Sequence, residues 1–361
     1  MSLRVHNSVL LGGLLAALAV AASLALTLEP VDGDLTRVGG LSEARWGWRG
    51  EHVRFSERLH RYPVDGGERP PAEILVLGDS FSHQSHRGYE WQALLAEKTG
   101  LAIVTFDLHR FQPEHILTSA AYRRHPPATV IYESSELSLA DRLNRLAGAC
   151  RPGAGVEPPG LPVQPVRAAH ISVTRPTSYG WDLSGRMNAA THVMRMAVKT
   201  LVGTRPVRVL PLDRRGLFSS RAQDLLTYGY AVRERPPTAQ IERMACGLAD
   251  LSRQVETTLG AAFVPLLVPT KYASYAPFLK KGRGEKPGVT SAVLAASGVP
   301  GPDLAPALQG AIAAGIRDVY LPNDSHWGPE GHRIAADAVY RFLLQQGMIV
   351  DMNPGTAPVT R

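Results

Sequence analysis

Short apolar runs alternate with helix-forming stretches along most of the chain, and this alternation restricts the fold more than any other feature. The apolar runs, rich in Val, Ile, Leu and Ala, occupy residues 72–77, 101–106, 128–132, 261–268 and 316–321. Helical spacing of apolar residues occurs at residues 89–98, 115–124, 238–259, 305–314 and 329–346, with Thr238 as the predicted N-cap of the longest helix. Strands that alternate with helices predict an α/β protein, a three-layer α/β/α sandwich with a mostly parallel sheet.

The composition allows one large body with an insertion. The chain has 361 residues, of which 44% are hydrophobic and 20% charged, and this is enough apolar material for a packed core. We expect a lead-in segment at residues 29–70, a catalytic domain at residues 71–149 and 237–350, and an insertion or cap at residues 150–236, where the strand–helix rhythm is interrupted. The net charge of +7 comes from scattered basic residues, which argues against nucleic acid as a partner.

The N-terminus predicts the compartment. Residues 9–28 form an uncharged apolar stretch, and about 20 such residues are needed to cross a bilayer. Arg4 precedes the stretch and acidic residues follow it, which favours a cytoplasmic N-terminus and an exported body. We therefore predict a signal anchor or transmembrane helix at residues 1–28, in a single-pass protein of the bacterial inner membrane whose catalytic domain lies in the periplasm or another extracytoplasmic space. A signal peptide cleaved near Ser23-Leu24-Ala25 is the alternative.

Export also bears on the cysteines. The chain has two, Cys150 and Cys246, and an oxidising compartment would allow them to form a disulfide. The sequence does not give their distance, so it leaves open whether they pair or are two small buried side chains.

A serine stands in the turn after the first predicted strand. The segment Gly78-Asp79-Ser80-Phe81-Ser82 follows the apolar run at residues 72–77 and precedes a predicted helix. In an open parallel sheet, ligands bind beyond the carboxyl ends of the strands, and a serine there can expose its hydroxyl and turn its backbone N–H toward a developing oxyanion. We predict Ser80 as a nucleophile, with Gly78 and Asp79 as candidates for contact with the substrate or the oxyanion.

An aspartate and a histidine stand before the last predicted helix. Asp324 and His326 are two residues apart, and Pro329 follows at the expected start of the helix. In an extended loop, residues at this spacing point the same way, so the carboxylate can orient Nδ1–H while Nε2 takes a proton from Ser80. The two motifs together predict a Ser80–His326–Asp324 triad. For the second motif alone, a helix-capping aspartate beside an incidental histidine is the alternative.

These two motifs resemble a known family. Gly-Asp-Ser after the first strand and an Asp-His pair before the last helix are similar to the SGNH (GDSL) hydrolase superfamily. The spellings Gly-Asp-Ser-Phe-Ser and Asp-Ser-His-Trp are similar to its alginate O-acetyltransferase branch, of the AlgJ and AlgX type, and residues 133–136 and 268–272 resemble that branch more weakly. The resemblance implies acetyl as the transferred group, an extracytoplasmic polysaccharide as the acceptor, and a membrane-bound O-acyltransferase as the acetyl supplier.

The chain departs from that branch in motif order and in its oxyanion blocks. Its serine precedes the Asp-His pair, as in ordinary SGNH hydrolases, whereas the alginate enzymes have the reverse order. The usual oxyanion blocks are missing, so donors other than the Ser80 N–H stay open, among them a backbone N–H within residues 109–112. Further substrate or oxyanion candidates are Ser134, Ser135, Lys271, Tyr272 and Trp327, the last as a sugar-stacking ring or as a wall against water.

Other functions stay open as alternatives. Four histidines near strand ends match no zinc spacing, so we predict neither metal nor cofactor: His83, His86, His109 and His115. A glycosidase pair of Glu133 and Glu136 lacks a second matched carboxylate geometry. A carbohydrate acetylesterase or lipase of the same superfamily would use the same triad with water as acceptor. A non-catalytic glycan-binding scaffold is the alternative from another class.

Overall fold

A five-stranded sheet, parallel throughout, lies at the centre of the computed structural model. The structure describes residues 3–27, 33–50, 60–62, 72–83, 90–146, 206–232, 235–280 and 288–350. The strands are β1 (His60–Arg61), β2 (Ile74–Gly78), β3 (Ile103–Asp107), β4 (Thr129–Ser135), β5 (Val207–Leu210), β6 (Leu225–Tyr228) and β7 (Ala262–Val268). The order in the main sheet is β1-β3-β2-β4-β7, and β5 and β6 form a separate antiparallel pair.

Helices cover both faces of the sheet. They are α1 (Leu3–Thr27), α2 (Asp34–Gly39), α3 (Glu43–Trp46), α4 (Trp91–Thr99), α5 (Pro113–Leu117), α6 (Ala120–Arg124), α7 (Glu136–Leu146), α8 (Thr238–Leu259), α9 (Lys271–Tyr275), α10 (Val289–Ser297), α11 (Leu304–Ala313) and α12 (Pro329–Gln345). Helices α4, α11 and α12 pack on one face, and α5 to α8 and α10 pack on the other. The expected α/β architecture with a mostly parallel central sheet is confirmed.

The alternation of side chains along β2 shows why the sheet is buried on both faces. Ile74 and Val76 belong to the core under α4, α11 and α12, whereas Leu75 and Leu77 belong to the core under α7 and α8. Successive side chains of a strand point to opposite faces, so an uninterrupted apolar run suits a strand that is covered twice. This strand ends at the carboxyl edge with Gly78, next to the predicted nucleophile.

The predicted strand at residues 316–321 is wrong. Tyr320 forms only an isolated antiparallel bridge with Trp327. Asp318 has a positive φ of 54°, which a regular strand does not tolerate, and its N–H donates to Leu217 O at 3.0 Å instead of joining the sheet. The segment is a buried turn that carries the loop with Asp324 and His326.

Two helix predictions also need correction. The predicted helix at residues 115–124 is divided into α5 and α6, because Ser119 takes an extended conformation with ψ 141° between them. Thr238 is the first residue of α8 and not its N-cap; Pro237 holds the cap position, without a side-chain hydrogen bond.

The two ends of the lead-in segment pack on the body. Leu35 of α2 and Trp46 of α3 belong to one small hydrophobic cluster. The other buried members of this cluster are Leu226 of β6 and Ala222, which precedes that strand. Strand β1 adds to the edge of the sheet beside β3. Among the helices that the structure describes, none is both long and apolar enough to cross a membrane, so the described residues do not support the predicted transmembrane helix.

Most of the predicted insertion lies outside the described residues. The part that is described, residues 206–232, contains the β5–β6 pair. Cys246 on α8 is disulfide-bonded. The other cysteine of the chain, Cys150, lies outside the described residues.

Candidate active site

Ser80 lies in a single 3₁₀ turn, Ser80–Ser82, directly after the central strand β2. Asp79 is extended before the turn, and its Oδ1 accepts a hydrogen bond from Phe81 N at 3.1 Å. Glycine is needed at position 78, because a Cβ there would lie 2.3 Å from Ser82 Oγ and 2.4 Å from Ser82 Cβ. Ser80 itself is half-buried, so the turn presents it at the carboxyl edge of the sheet, where ligands bind in such folds.

The Asp79–Arg142 ion pair and the buried carboxyl group of Glu133 support this turn. Asp79 Oδ2 accepts hydrogen bonds from Ser135 N at 2.7 Å and from Arg142 Nη1 at 2.8 Å. Burial raises the pKa of Asp79, but Arg142 and the hydrogen bonds outweigh burial and leave that pKa below its ordinary value. Glu133 accepts from Asp79 N at 2.8 Å and from Ser82 Oγ at 2.7 Å. Burial and the Asp79 charge raise the pKa of Glu133 well above its ordinary value.

Lys271 supports the loop that carries Asp324 and His326. It is buried at the start of α9, and its Nζ donates to the carbonyls of Leu321, Pro322 and Asp324 at 2.7, 3.0 and 3.1 Å. Burial lowers the pKa of Lys271 to about 7, against the attraction of neighbouring aspartates. Leu321 N donates to His326 O at 3.0 Å and closes the loop on itself.

The fold brings Ser80, His326 and Asp324 into contact, although Ser80 and His326 are 246 residues apart in the chain. His326 Nε2 lies 2.8 Å from Ser80 Oγ, and Nδ1 lies 2.7 Å from Asp324 Oδ1. The side chain of His326 is 21% exposed and that of Asp324 is 4% exposed. An imidazole between a hydroxyl and a buried carboxylate can take the hydroxyl proton and remain stabilised as imidazolium. This arrangement can therefore perform nucleophilic catalysis.

A second carboxylate, for which the sequence gives no signal, reaches the same loop. Asp34 of α2 accepts from Ser325 N at 2.7 Å and from Ser325 Oγ at 2.5 Å, and its Oδ2 lies 3.8 Å from His326 Nδ1. The backbone N–H of Asp34 donates to Asp324 Oδ2 at 3.1 Å. Burial and the Asp324 charge raise the pKa of Asp34. The contact joins segments at opposite ends of the sequence, so no local motif could indicate it.

The same three groups, Asp34, Asp324 and His326, have ligand atoms within 4.8 Å of one another and could meet at a metal ion. Their atoms, however, already have hydrogen-bond partners. Asp34 accepts from Ser325 and from Tyr228 Oη, the latter at 3.1 Å. Asp324 and His326 bond to each other and to the backbone. This pattern fits a proton-transfer group, and the expectation that no metal is needed stays a prediction.

The backbone N–H of Ser80 is available as an oxyanion donor. It has no hydrogen-bond partner among the described residues, and it stands at the start of the turn. Three of the backbone N–H groups within residues 109–112, which were considered as oxyanion donors, form hydrogen bonds within the protein. His109 N donates to Asp107 Oδ1 at 2.8 Å, and the next two N–H groups donate to Asp107 O.

Ser134 and Ser135 have hydrogen-bond partners within the protein, and an oxyanion role for either stays a prediction. They are buried at the end of β4. Ser134 Oγ accepts from Arg142 Nη1 at 2.8 Å, and Ser135 N donates to Asp79 Oδ2 at 2.7 Å. Gly78 and Asp79 are buried as well and shape the turn rather than contact a substrate.

The remaining three candidates are buried, and their contact with a substrate stays a prediction. Lys271, Tyr272 and Trp327 are 3%, 7% and 0% exposed. Trp327 packs against Phe81 at a centroid distance of 4.8 Å and against His332 at 5.5 Å. These contacts fit the interpretation of Trp327 as a wall against water. Tyr272 lines a separate cavity of about 130 Å³ beside α7 and α8.

His83, His109 and His115 form no side-chain hydrogen bond to the triad within the described residues, although His83 N donates to Ser80 O at 3.4 Å. His83 is half-buried with its ring 5.1 Å from that of Tyr62, and burial lowers the pKa of His83. His109 and His115 are exposed. His86 lies outside the described residues.

Glu133 on β4 and Glu136 on α7, which were considered as a glycosidase pair, form hydrogen bonds within the protein instead. Glu133 accepts hydrogen bonds from Asp79 N and Ser82 Oγ in the nucleophile turn. Glu136 accepts from Thr270 N at 2.8 Å, and burial raises the pKa of Glu136. Neither carboxyl contacts the triad, so the pair does not form a second catalytic site.

A cavity of about 360 Å³ lies between the loop after β3 and helix α7. His109, Arg142 and Arg145 are among its lining residues, but Ser80 and His326 are not. One of its lining residues, Arg142, contacts Asp79 next to Ser80. The cavity therefore does not hold the reacting groups.

Comparison with known proteins finds a family match in the C-terminal part of the chain. Residues 225–360 match the family model described as the SGNH hydrolase-like domain of acetyltransferase AlgX. The matched range contains Asp324 and His326, whereas Ser80 lies before it. No curated protein and no solved structure gives a significant match. The family description supports an acetyltransferase-like function, and over residues 225–360 the chain is confirmed as similar to the alginate O-acetyltransferase branch of the SGNH superfamily.

Proposed function

We propose that the protein is an extracytoplasmic polysaccharide O-acetyltransferase that works through an acetyl-enzyme on Ser80. One observation carries the proposal: the continuous contact from Asp324 Oδ1 to His326 Nδ1 at 2.7 Å and from Nε2 to Ser80 Oγ at 2.8 Å. A hydroxyl, an imidazole and a buried carboxylate in this order are the groups that nucleophilic acyl transfer requires.

In the first half-reaction, Ser80 Oγ attacks the carbonyl carbon of the acetyl donor while His326 Nε2 takes the hydroxyl proton. The carbonyl oxygen becomes an oxyanion, and the Ser80 N–H donates to it. The imidazolium then gives its proton to the leaving group as the bond between that group and the acetyl carbon breaks. Asp324 stays ionised throughout and stabilises the imidazolium.

In the second half-reaction, a sugar hydroxyl of the acceptor takes the place of the leaving group. Its oxygen attacks the acetyl carbon of the acetyl-enzyme while Nε2 takes its proton. Collapse of the second tetrahedral intermediate breaks the bond to Ser80 Oγ, which regains the proton from the imidazolium. The product is the O-acetylated sugar and the free enzyme. Water in place of the sugar hydroxyl would make the same site an esterase.

The family match supports acetyl as the transferred group. The polysaccharide acceptor and a membrane-bound O-acyltransferase that supplies acetyl are part of the proposal through the same resemblance. Export is supported by the apolar stretch near the N-terminus and by the disulfide-bonded Cys246, because structural disulfides persist in oxidising compartments such as the periplasm.

Acetate release and acetylated-glycan formation, measured side by side, test the proposal. The purified protein is incubated with 4-nitrophenyl acetate and a panel of deacetylated exopolysaccharides, together with Ser80→Ala and the control Ser291→Ala, whose hydroxyl contacts Asp303 on the protein surface. We expect O-acetylated glycan with wild type and with the control, and no product with Ser80→Ala. Acetate alone would favour the acetylesterase, and full activity of Ser80→Ala would overturn the mechanism.

A further inference from the structure

Asp34 connects the lead-in segment to the reacting groups. Asp34 precedes Ser325 by 291 residues in the chain. Its carboxylate nevertheless accepts hydrogen bonds from both the backbone N–H and the hydroxyl of Ser325. Asp34 Oδ2 lies 3.8 Å from His326 Nδ1, and its backbone N–H donates to Asp324 Oδ2 at 3.1 Å. The residue therefore contacts the catalytic carboxylate and the segment that carries the imidazole.

We propose that Asp34 is a positioning residue with two effects on His326. Through Ser325 it holds the backbone from which the imidazole projects, and its charge, 3.8 Å from Nδ1, stabilises the imidazolium formed when Ser80 loses its proton. The inference rests on the proposed function. It adds a second carboxylate from the lead-in segment to the predicted triad.

The electrostatic part follows from the groups that surround Asp34. An opposite charge within about 4–6 Å favours the charged form of an imidazole, by about 1–3 pKa units in typical cases. The titratable groups that face Asp34 are Asp324 and His326 on the loop, Tyr228 on β6 and Lys271 on α9. Asp324 repels the Asp34 charge, whereas Lys271 and a protonated His326 attract it. Two carboxylates beside one imidazole are best satisfied when the imidazole is protonated.

Other residues of the lead-in segment also hold the loop, and one of them provides a control for the positioning effect of Asp34. Leu35 N and Thr36 N donate to Asn323 O at 3.1 and 3.2 Å, and Glu43 Oε2 accepts from Asn323 Nδ2 at 2.8 Å. These contacts also fix the loop, but they do not place a charge next to the imidazole. Glu43→Gln therefore tests the attachment of the lead-in segment without the proposed electrostatic effect.

Asp34→Asn is the main test, because the amide keeps the size of the carboxylate and removes its charge. Nitrogen-15 NMR of His326 and the pH–rate profile of 4-nitrophenyl acetate cleavage are measured for wild type, Asp34→Asn and Glu43→Gln. We expect the imidazole pKa and the acid limb of the profile to fall by about one unit in Asp34→Asn, with a roughly tenfold loss of kcat. Glu43→Gln should leave both pKa readings unchanged.

A second variant keeps the test decisive for the positioning effect. Ser325→Ala retains the Asp34 charge but removes the hydroxyl that Asp34 holds, whose Oγ also lies 3.4 Å from His326 Nδ1. We expect kcat to fall while the imidazole pKa changes less than in Asp34→Asn. An unchanged imidazole pKa in folded Asp34→Asn would overturn the charge effect, and an unchanged kcat in Ser325→Ala would overturn the positioning effect. The NMR titration needs no acetyl transfer, so its outcome is separate from failure of the proposed function.

Discussion

Replacing Lys271 by Met removes one buried ammonium and keeps most of the side-chain volume. In the native protein, Nζ donates to the carbonyls of Leu321, Pro322 and Asp324. In Lys271→Met these carbonyls lose their common donor, and the loop that carries His326 loses its support from α9. We expect kcat to fall about a hundredfold, the order of effect that a displacement of about 1 Å produces in a catalytic group.

The same substitution changes stability much less, because two large terms oppose each other. Leu321 O keeps a second donor, Asp324 N at 3.4 Å, so the variant leaves two buried carbonyls unsatisfied, those of Pro322 and Asp324. They cost about 1–3 kcal/mol each, or about 2–6 kcal/mol together. The variant also removes the cost of a buried charge. Burial lowers the pKa of Lys271 from 10.5 to about 7, which corresponds to about 5 kcal/mol below pH 7. The free energy of unfolding should therefore fall by at most about 1 kcal/mol at neutral pH.

The dependence on pH separates these terms. The folded pKa of about 7 lies below the ordinary 10.5, so the unfolded chain binds more protons between these values and the contribution of Lys271 to stability rises with pH. Urea unfolding at pH 7 and pH 9 should show that wild type gains about 2 kcal/mol relative to Lys271→Met. The control Lys280→Met, at an exposed position, should show no such gain. A wild-type advantage equal at both pH values would refute a buried, titrating Lys271.

Asp324→Asn replaces the carboxylate that orients Nδ1–H, so kcat should fall by about 10³–10⁴-fold; a loss below tenfold would contradict the orienting role. Arg142→Met leaves Asp79 buried without its counter-charge, so the free energy of unfolding in urea should fall by about 3–5 kcal/mol. An unchanged midpoint would show that this pair does not support the nucleophile turn. Trp327→Phe shrinks a ring with no exposed surface, so stability should fall by about 1–3 kcal/mol while KM for the acceptor stays constant. A selective rise in that KM would restore the sugar-stacking interpretation.

The meeting of Ser80 and His326 was predictable because strong local signals mark both positions. An uninterrupted apolar run ends just before Ser80, and parallel strands direct their carboxyl ends to one edge of the sheet. The spacing of Asp324 and His326 predicted the orienting carboxylate, now seen at 2.7 Å from Nδ1. These features depend on short segments and on a general property of parallel sheets.

The supporting groups were not predictable, because each depends on contacts between distant segments. Asp34 lies in a polar stretch without periodicity, and only folding brings it to Ser325. Lys271 follows β7, as a substrate-facing residue would, yet its side chain turns under the loop. A polar residue at a strand end can face solvent or a buried carbonyl, and the choice is made by packing that a single sequence does not show.

The segment at residues 316–321 shows that buried side chains do not require a backbone that pairs with the sheet. Val319, Tyr320 and Leu321 are fully buried, as the apolar pattern indicates. The backbone does not pair with the sheet, because Asp318 has positive φ and Gly328 packs closely on it: a Cβ on Gly328 would lie 2.1 Å from Asp318 O. Apolar composition predicts which side chains are buried, but it does not identify the hydrogen-bond partners of their backbone.

Mass spectrometry of an acetylated peptide tests the central claim most directly. The protein is treated with 4-nitrophenyl acetate, quenched in acid and digested, and the peptide that contains Ser80 is compared between wild type and His326→Ala. We predict an acetyl group on Ser80 in wild type and little or none in His326→Ala, because Nε2 accepts the Ser80 proton across 2.8 Å. An unmodified Ser80 in folded, wild-type protein that still releases nitrophenol, or equal labelling in both proteins, would contradict the account.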